Sequence, residues 1–168
     1  MLSYRVSKID VSLRKILIIM AILRLTRVFN FDMAHVLLNY HGKCKNIHGH
    51  TYKLEVTVKG APCNDEASPK TGMLIDFSDF KNLIQDNIIS VWDHALMIHQ
   101  DSDPVLLDAL KNNYEKIIVV PFQPTTENMI CELAYIIKKI LPCDLQLFSL
   151  RLYETEKSYA DWYASENV

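Results

Sequence analysis

Hydrophobic and polar residues alternate along several stretches of the chain. From Leu23 the odd positions read Leu23, Leu25, Arg27, Phe29, Phe31, and the even ones Arg24, Thr26, Val28, Asn30. A period of two is that of a strand with one buried face. "TYKLEVTVK" (51–59) alternates more cleanly, with Tyr52, Leu54, Val56 and Val58 facing one way and Thr51, Lys53, Glu55, Thr57 and Lys59 the other. One dry and one wet face is the pattern of an antiparallel sheet. "KIIVVPF" (116–122) reads as a short strand and "LQLFSLRLYET" (145–155) as the final one, its even face carrying Phe148, Leu150, Leu152 and then Glu154.

Other segments follow the helical period. Phe77, Phe80, Ile84, Ile88 and Val91 recur at spacings of three and four, predicting a helix over about 78–90. "PVLLDALKNN" predicts a short helix with Pro104 in its first turn. "ENMICELAYIIKKI" predicts another, capped by Thr125 or Thr126, with Glu127 in its first turn and Lys138 and Lys139 near its end. A turn-rich loop, "APCNDEASPKTG", covers 61–72. The fold class is α+β.

Composition narrows the picture. The 168 residues suit one domain large enough to bury a core. A net charge of −2 provides no bulk field to draw the chain to nucleic acid or an anionic membrane. The four cysteines, Cys44, Cys63, Cys131 and Cys143, form no CxxC pair, which favours free thiols in a reducing, cytoplasmic compartment. "ILIIMAIL" (16–23) is too short to span a bilayer, and "RLTR" follows where a small-residue cleavage site would lie, against an export signal. Residues 1–19 are expected to form a dispensable extension, with the domain covering 20–168.

The chemistry gathers in "HGKCKNIHGHTY" (41–52). His48 and His50 share parity with Tyr52, Leu54 and Val56, so both point to the dry face if the strand starts early enough. His35 shares parity with Phe29 and Phe31, and a hairpin pairing 23–35 with 48–59 brings it against the other two. Three imidazoles with a fourth position open describe a catalytic zinc site. Cys44, between Lys43 and Lys45, is either a reactive thiolate or a fourth ligand that closes the shell. "WDHAL" supplies Asp93 and His94, which matter if the fold brings His94 to Cys44. Glu154 either meets solvent at a strand end or floors a pocket, where a carboxylate can accept two N–H bonds from an amidine-like edge.

"FDMAH", "CKNIHGHTY", "TGMLIDFSDFK", "WDHAL", "PTTEN" and "LYET" together resemble the 6-pyruvoyltetrahydropterin synthase / 6-carboxytetrahydropterin synthase family, in order and approximate spacing, from about Phe29 to Glu156. The resemblance implies a tunnelling fold: a four-stranded antiparallel sheet with two main helices on one face, assembling into a barrel. It also implies a homohexamer of two stacked trimers with active sites between subunits. His35, His48 and His50 match the family's zinc ligands, Cys44 its catalytic cysteine, and Asp93 and His94 its proton-relay pair. Glu154 matches its pterin-anchoring glutamate, while Thr125, Thr126 and Glu127 fall in a motif near the pterin pocket, where a helix cap explains them equally well.

Three residues separate Cys44 from His48. This short spacing resembles the bacterial 6-carboxytetrahydropterin synthases of the queuosine pathway. The implied reaction converts 7,8-dihydroneopterin triphosphate to 6-carboxy-5,6,7,8-tetrahydropterin, acetaldehyde and triphosphate. The pyruvoyl-forming reaction is the alternative, and a non-catalytic zinc- or pterin-binding module a further one. Trp92 stands where Leu is usual, and "ALMI" lacks the usual Leu-Asn ending.

Overall fold

A computed structural model describes residues 21–167; the expected extension over 1–19 lies outside the described residues. Two long strands form the centre: β1 (Leu23–His35) and β2 (His48–Gly60). They pair antiparallel without interruption from Leu23↔Gly60 to His35↔His48. The odd residues Phe29, Phe31 and Met33 of β1 and the even residues Tyr52, Leu54, Val56 and Val58 of β2 are buried on one face. The alternation therefore reports the register correctly.

Helix α1 (Phe77–Ile84) begins at Asp76, whose carboxylate accepts from the Ser78 and Asp79 amides. It continues through a widened turn (Gln85–Ile89) into Ser90–Trp92. The wide turn inserts a residue into the helical phase. Phe80, Ile84, Ile88, Ile89 and Trp92 are buried, whereas Phe77 and Val91, expected on the apolar stripe, are exposed. The short strand β3 (Leu96–His99), helix α2 (Pro104–Asn113) and strand β4 (Ile117–Val120) follow. Helix α3 (Thr126–Ile140) is capped by the Thr125 hydroxyl, which accepts from the Asn128 amide. Strands β5 (Gln146–Thr155) and β6 (Ser158–Tyr163) end the sheet.

The sheet has six strands in the order β4-β3-β1-β2-β5-β6. It is mixed: β3 runs parallel to β1 and to β4, while β1, β2, β5 and β6 are antiparallel neighbours. This corrects the four-stranded antiparallel expectation. β3, "LMIH", spans only four residues, too few for a period to register, and sits inside the parallel edge. β6, "SYADWY", starts its inward face with the polar Ser158 and buries chiefly Trp162, so its alternation is weak.

A bulge shifts the β2–β5 register, so Val58 pairs with Leu147 and Thr57 with Ser149. Phe148 is the extra residue. It leaves the dry face to Leu147, Leu150 and Leu152 and instead stacks under the Arg24 guanidinium, 3.7 Å from the ring centre.

α1 and α3 pack over the dry face in one core, with Phe80, Ile84, Ile88, Met129, Leu133 and Ile137 meeting the strand residues. Each such side chain contributes about 1.5–3 kcal/mol relative to exposure. α2 lies apart, with Leu107 and Leu110 against Ile98. Among the described residues no helix is long and apolar enough to cross a membrane.

Candidate functional site

The last pair of the β1–β2 ladder is His35 opposite His48. Two residues further along β2, on the same face, comes His50. β2 begins early enough for both of its histidines to be strand residues. The ring centres are 4.5 Å apart for His35–His48, 5.2 Å for His35–His50 and 5.0 Å for His48–His50. One nitrogen from each lies within 4.8 Å of the other two.

The hydrogen bonds select the tautomers. His35 Nδ1 lies 2.7 Å from the Pro124 carbonyl and His48 Nδ1 2.8 Å from the Asn46 carbonyl. A carbonyl only accepts, so each Nδ1 carries the proton and each Nε2 keeps its lone pair. Those two Nε2 atoms face each other at 3.1 Å. His50 Nε2 is buried with no hydrogen-bond partner. Burial holds the His35 and His50 imidazoles below the ordinary histidine pKa, which keeps them neutral near pH 7.

Unprotonated, carbonyl-oriented imidazoles converging on one point are what a metal site requires. Two zinc–nitrogen bonds of about 2.0–2.1 Å at a tetrahedral angle separate their nitrogens by about 3.3–3.4 Å. The three histidines therefore fit a divalent cation, and His50 Nε2 has no hydrogen-bond partner among the described residues. Cys44 does not join this cluster.

Beside the triad lies a cleft of about 210 Å³, lined by His35, Cys44, Thr125, Thr126, Glu127, Glu154 and Tyr159 among others. Cys44 is half-buried in a short turn, Lys43–Lys45, whose carbonyl accepts from Leu37 N–H across the loop. Glu154 ends the inward face of β5. Its Oε1 accepts from the buried Thr126 hydroxyl at 3.0 Å and lies 3.8 Å and 3.9 Å from His35 and His50 Nε2. Thr126 thus touches the carboxylate, while Thr125 serves as the helix cap and Glu127 is an exposed first-turn residue on the rim. The structure gathers eight of the ten candidate residues, His35, Cys44, His48, His50, Thr125, Thr126, Glu127 and Glu154, at this end of the sheet.

Asp93 and His94 sit on a separate turn, where His94 borders a cleft of about 410 Å³ together with His50 and Thr51. His94 follows the C-terminal end of the α1 segment with φ of 61°, a left-handed conformation that costs a non-glycine residue about 1 kcal/mol. Asp32 of β1 clamps the turn: its carbonyl accepts from His94 N–H at 2.6 Å and its amide donates to Asp93 Oδ1 at 2.9 Å. Asp93 Oδ2 lies 2.9 Å from His94 Nδ1. Burial pushes the Asp93 carboxyl up, but the Asp32 amide and His94 outweigh it and bring it below the usual range.

The His94 ring is exposed and lines a cavity of about 720 Å³ with Ile47, Ala95, Tyr114 and Lys116. Within one chain, His94 and Cys44 line different clefts.

The sequence reading missed the Pro124 and Asn46 carbonyls, Lys116 and the Tyr52 hydroxyl. Backbone acceptors leave no trace in side-chain chemistry. Tyr52 was legible only as a core residue; its hydroxyl is buried without a partner, and burial raises its pKa well above the ordinary value.

Fold and site together define an α+β protein whose central hairpin carries a three-histidine cluster suited to a metal, beside a small polar cleft. The chain belongs to the 6-pyruvoyl tetrahydropterin synthase family, which it matches over residues 24–165. It is 38% identical over 143 residues to the 6-carboxy-5,6,7,8-tetrahydropterin synthase of Haemophilus influenzae, covering 83% of this chain and 97% of that one. The Rickettsia typhi protein of the same name is 33% identical over 141 residues, covering 83% and 99%. The 6-pyruvoyl tetrahydrobiopterin synthase of Poecilia reticulata is 31% identical over 147 residues, covering 80% and 85%. Among solved structures, an uncharacterised Wolinella succinogenes protein superposes with a TM-score of 0.67 at 23% identity, covering 86% of this chain and 99% of that one. The Caenorhabditis elegans 6-pyruvoyl tetrahydropterin synthase gives 0.59 at 23%, covering 86% and 97%.

Proposed function

We propose that this chain is a zinc-dependent 6-carboxy-5,6,7,8-tetrahydropterin synthase, converting 7,8-dihydroneopterin triphosphate and one water to 6-carboxytetrahydropterin, acetaldehyde and triphosphate. The observation that carries the reading is the convergence of three imidazoles beside a cleft that holds both a thiol and a carboxylate. Relatives bearing the carboxy-synthase name at 38% and 33% identity, and the three-residue spacing from Cys44 to His48, support this branch over the pyruvoyl one.

His35, His48 and His50 would hold the zinc ion, which supplies Lewis acidity to the side-chain oxygens of the substrate. Glu154 accepts two N–H bonds from the amidine edge of the pterin, and the Thr126 hydroxyl fixes its carboxylate for that task. Thr125 and Glu127 shape the rim at the start of α3. Cys44 is the general base. Asp93 and His94 exchange the second proton, His94 being oriented by its contact with Asp93. Because His94 and Cys44 line different clefts of one chain, the pair that works with a given Cys44 comes from a neighbouring copy. A barrel-forming homohexamer of two trimers provides such neighbours. The catalytic unit is residues 20–168, with 1–19 dispensable. Four free cysteines suit a reducing cytoplasm, and the queuosine pathway is the setting the reaction implies.

Mass spectrometry of the product from dihydroneopterin triphosphate tests the reading. A one-carbon acid substituent on the tetrahydropterin supports it, and a three-carbon dioxo substituent assigns the chain to the pyruvoyl branch.

A further inference from the structure

Lys116 stands outside the triad and the polar cleft. It immediately precedes β4, far in sequence from the Asp93–His94 turn, yet it holds that turn from two sides. Its Nζ donates to the Asp93 carbonyl at 2.8 Å and to the Ser90 carbonyl at 3.0 Å. Its own backbone carbonyl accepts from Leu96 N–H at 2.9 Å. The left-handed residue His94 thus lies between two points of attachment to Lys116, with Asp32 clamping it from β1.

The chemistry suits the place. Ser90 and Asp93 are at the C-terminal end of the α1 segment, where carbonyls lack intrahelical partners and the helix dipole favours a cation. Most helices ending in this way use glycine at the left-handed position. Here a histidine occupies it, so the conformation must be enforced from outside. The ammonium group bonds the carbonyl of the peptide that leads directly into His94. Lys116 is also exposed and borders the same 720 Å³ cavity as the His94 ring, so the core does not depend on its side chain.

We infer that Lys116 is a positioning residue that locks the Asp93–His94 turn in its left-handed conformation and so aims the His94 imidazole at the reacting proton. The inference rests on the role proposed above for His94.

The test compares Lys116→Met, Lys116→Arg and His94→Ala with the parent, each as the full, zinc-loaded, assembled protein. Lys116→Met keeps the aliphatic stem and removes the donors. It is expected to lower kcat at least tenfold, while KM, bound zinc, elution volume and Tm stay at parental values. Lys116→Arg, which keeps a cation for the same carbonyls, is expected to recover kcat to within threefold of the parent. An unchanged kcat in Lys116→Met overturns the inference, as does loss of zinc, assembly or Tm, which marks a merely structural role. Failure of Lys116→Arg to recover kcat also overturns it. His94→Ala separates the two levels: full activity there removes the role of His94 itself and the inference with it, whereas an inactive His94→Ala beside an active Lys116→Met sinks the inference alone.

Discussion

His35 and His48 stand opposite each other as the last pair of the β1–β2 ladder, with their Nε2 atoms 3.1 Å apart and both Nδ1 atoms tied to carbonyls. Two facing lone pairs at that distance repel. A cation between them turns the repulsion into two bonds, so the metal-free triad is poised rather than relaxed. The same carbonyls that create the repulsion also fix the ring planes, which lowers the entropy lost on binding.

Replacing His48 with Ala separates these effects. Metal affinity is expected to fall by more than 100-fold, since losing only an outer-shell partner of a ligand already costs about 10–100-fold. The metal-free variant is expected to be as stable as the metal-free parent or more so, because the lone-pair contact is gone. Zinc titration followed by calorimetry, with Tm measured with and without metal, checks both halves. A parental rise in Tm on adding zinc to His48→Ala removes the triad as the metal centre.

Acid should attack the same place. Burial keeps the His35 and His50 pKa values below the usual 6.5 of an unfolded histidine. Between those lower values and 6.5, the unfolded chain binds more protons than the folded one. Stability is therefore full above about 6.5 and falls as pH drops through that value. Zinc competes with the same protons, so metal release moves in the same direction. Chemical denaturation of the metal-free protein from pH 8 to pH 5, with the zinc content of the loaded protein measured in parallel, is expected to show both declines together. Stability that rises on acidification across that window contradicts the burial of neutral imidazoles.

The triad was legible in the sequence because a strand has a strict period of two: the parity of His48 and His50 with Tyr52 and Leu54, and of His35 with Phe31, survives into the structure unchanged. Long, regular strands carry that information. Phe148 broke the same rule because one bulge shifts parity, and no composition signal marks a bulge between Thr57 and Val58. Val91, expected on the apolar stripe, is exposed because a single widened turn rephased the helix. β3 and β4 are four residues each, and their parallel pairing depends on α2 returning the chain, a tertiary fact. That His94 and Cys44 line different clefts was likewise beyond what a pattern along the chain can show.

Cys44 lies in the cleft but outside the histidine cluster. Cys44→Ala is accordingly expected to keep its zinc and lose turnover by at least 100-fold, as removal of a general base does at the low end. Metal analysis paired with product formation decides the matter. A variant that loses zinc would place the sulfur in the metal shell and favour a binding module over an enzyme.

Glu154 accepts from Thr126 and sits within 4 Å of two imidazoles, on the floor of the cleft. Glu154→Gln preserves the shape and the Thr126 contact through its carbonyl oxygen, and removes the charge. Replacing two charge-assisted acceptors by an amide is expected to weaken pterin binding by about 1.5–3 kcal/mol, roughly 10- to 150-fold. Binding of a product pterin, followed by fluorescence on zinc-loaded protein, measures it. Parental affinity in Glu154→Gln would move the pterin anchor to another residue.

Tyr52 offers a prediction of the opposite sign. Its side chain is fully buried, its ring stacks on Phe31 at 5.3 Å, and its hydroxyl meets no partner. An unpaired buried hydroxyl costs about 1–3 kcal/mol, whereas the ring contacts are independent of it. Tyr52→Phe is therefore expected to stabilise the metal-free protein by about 1 kcal/mol, raising Tm by about 3 °C for a domain of this size. Zinc affinity should not change, because the ring still packs edge-on against His50 at 5.7 Å. Denaturant unfolding of the metal-free and zinc-loaded forms reads both quantities. A loss of stability in the metal-free variant would mean that the hydroxyl is hydrogen-bonded in solution, and a loss confined to the zinc-loaded form would make Tyr52 part of the loaded site rather than of the core beneath it.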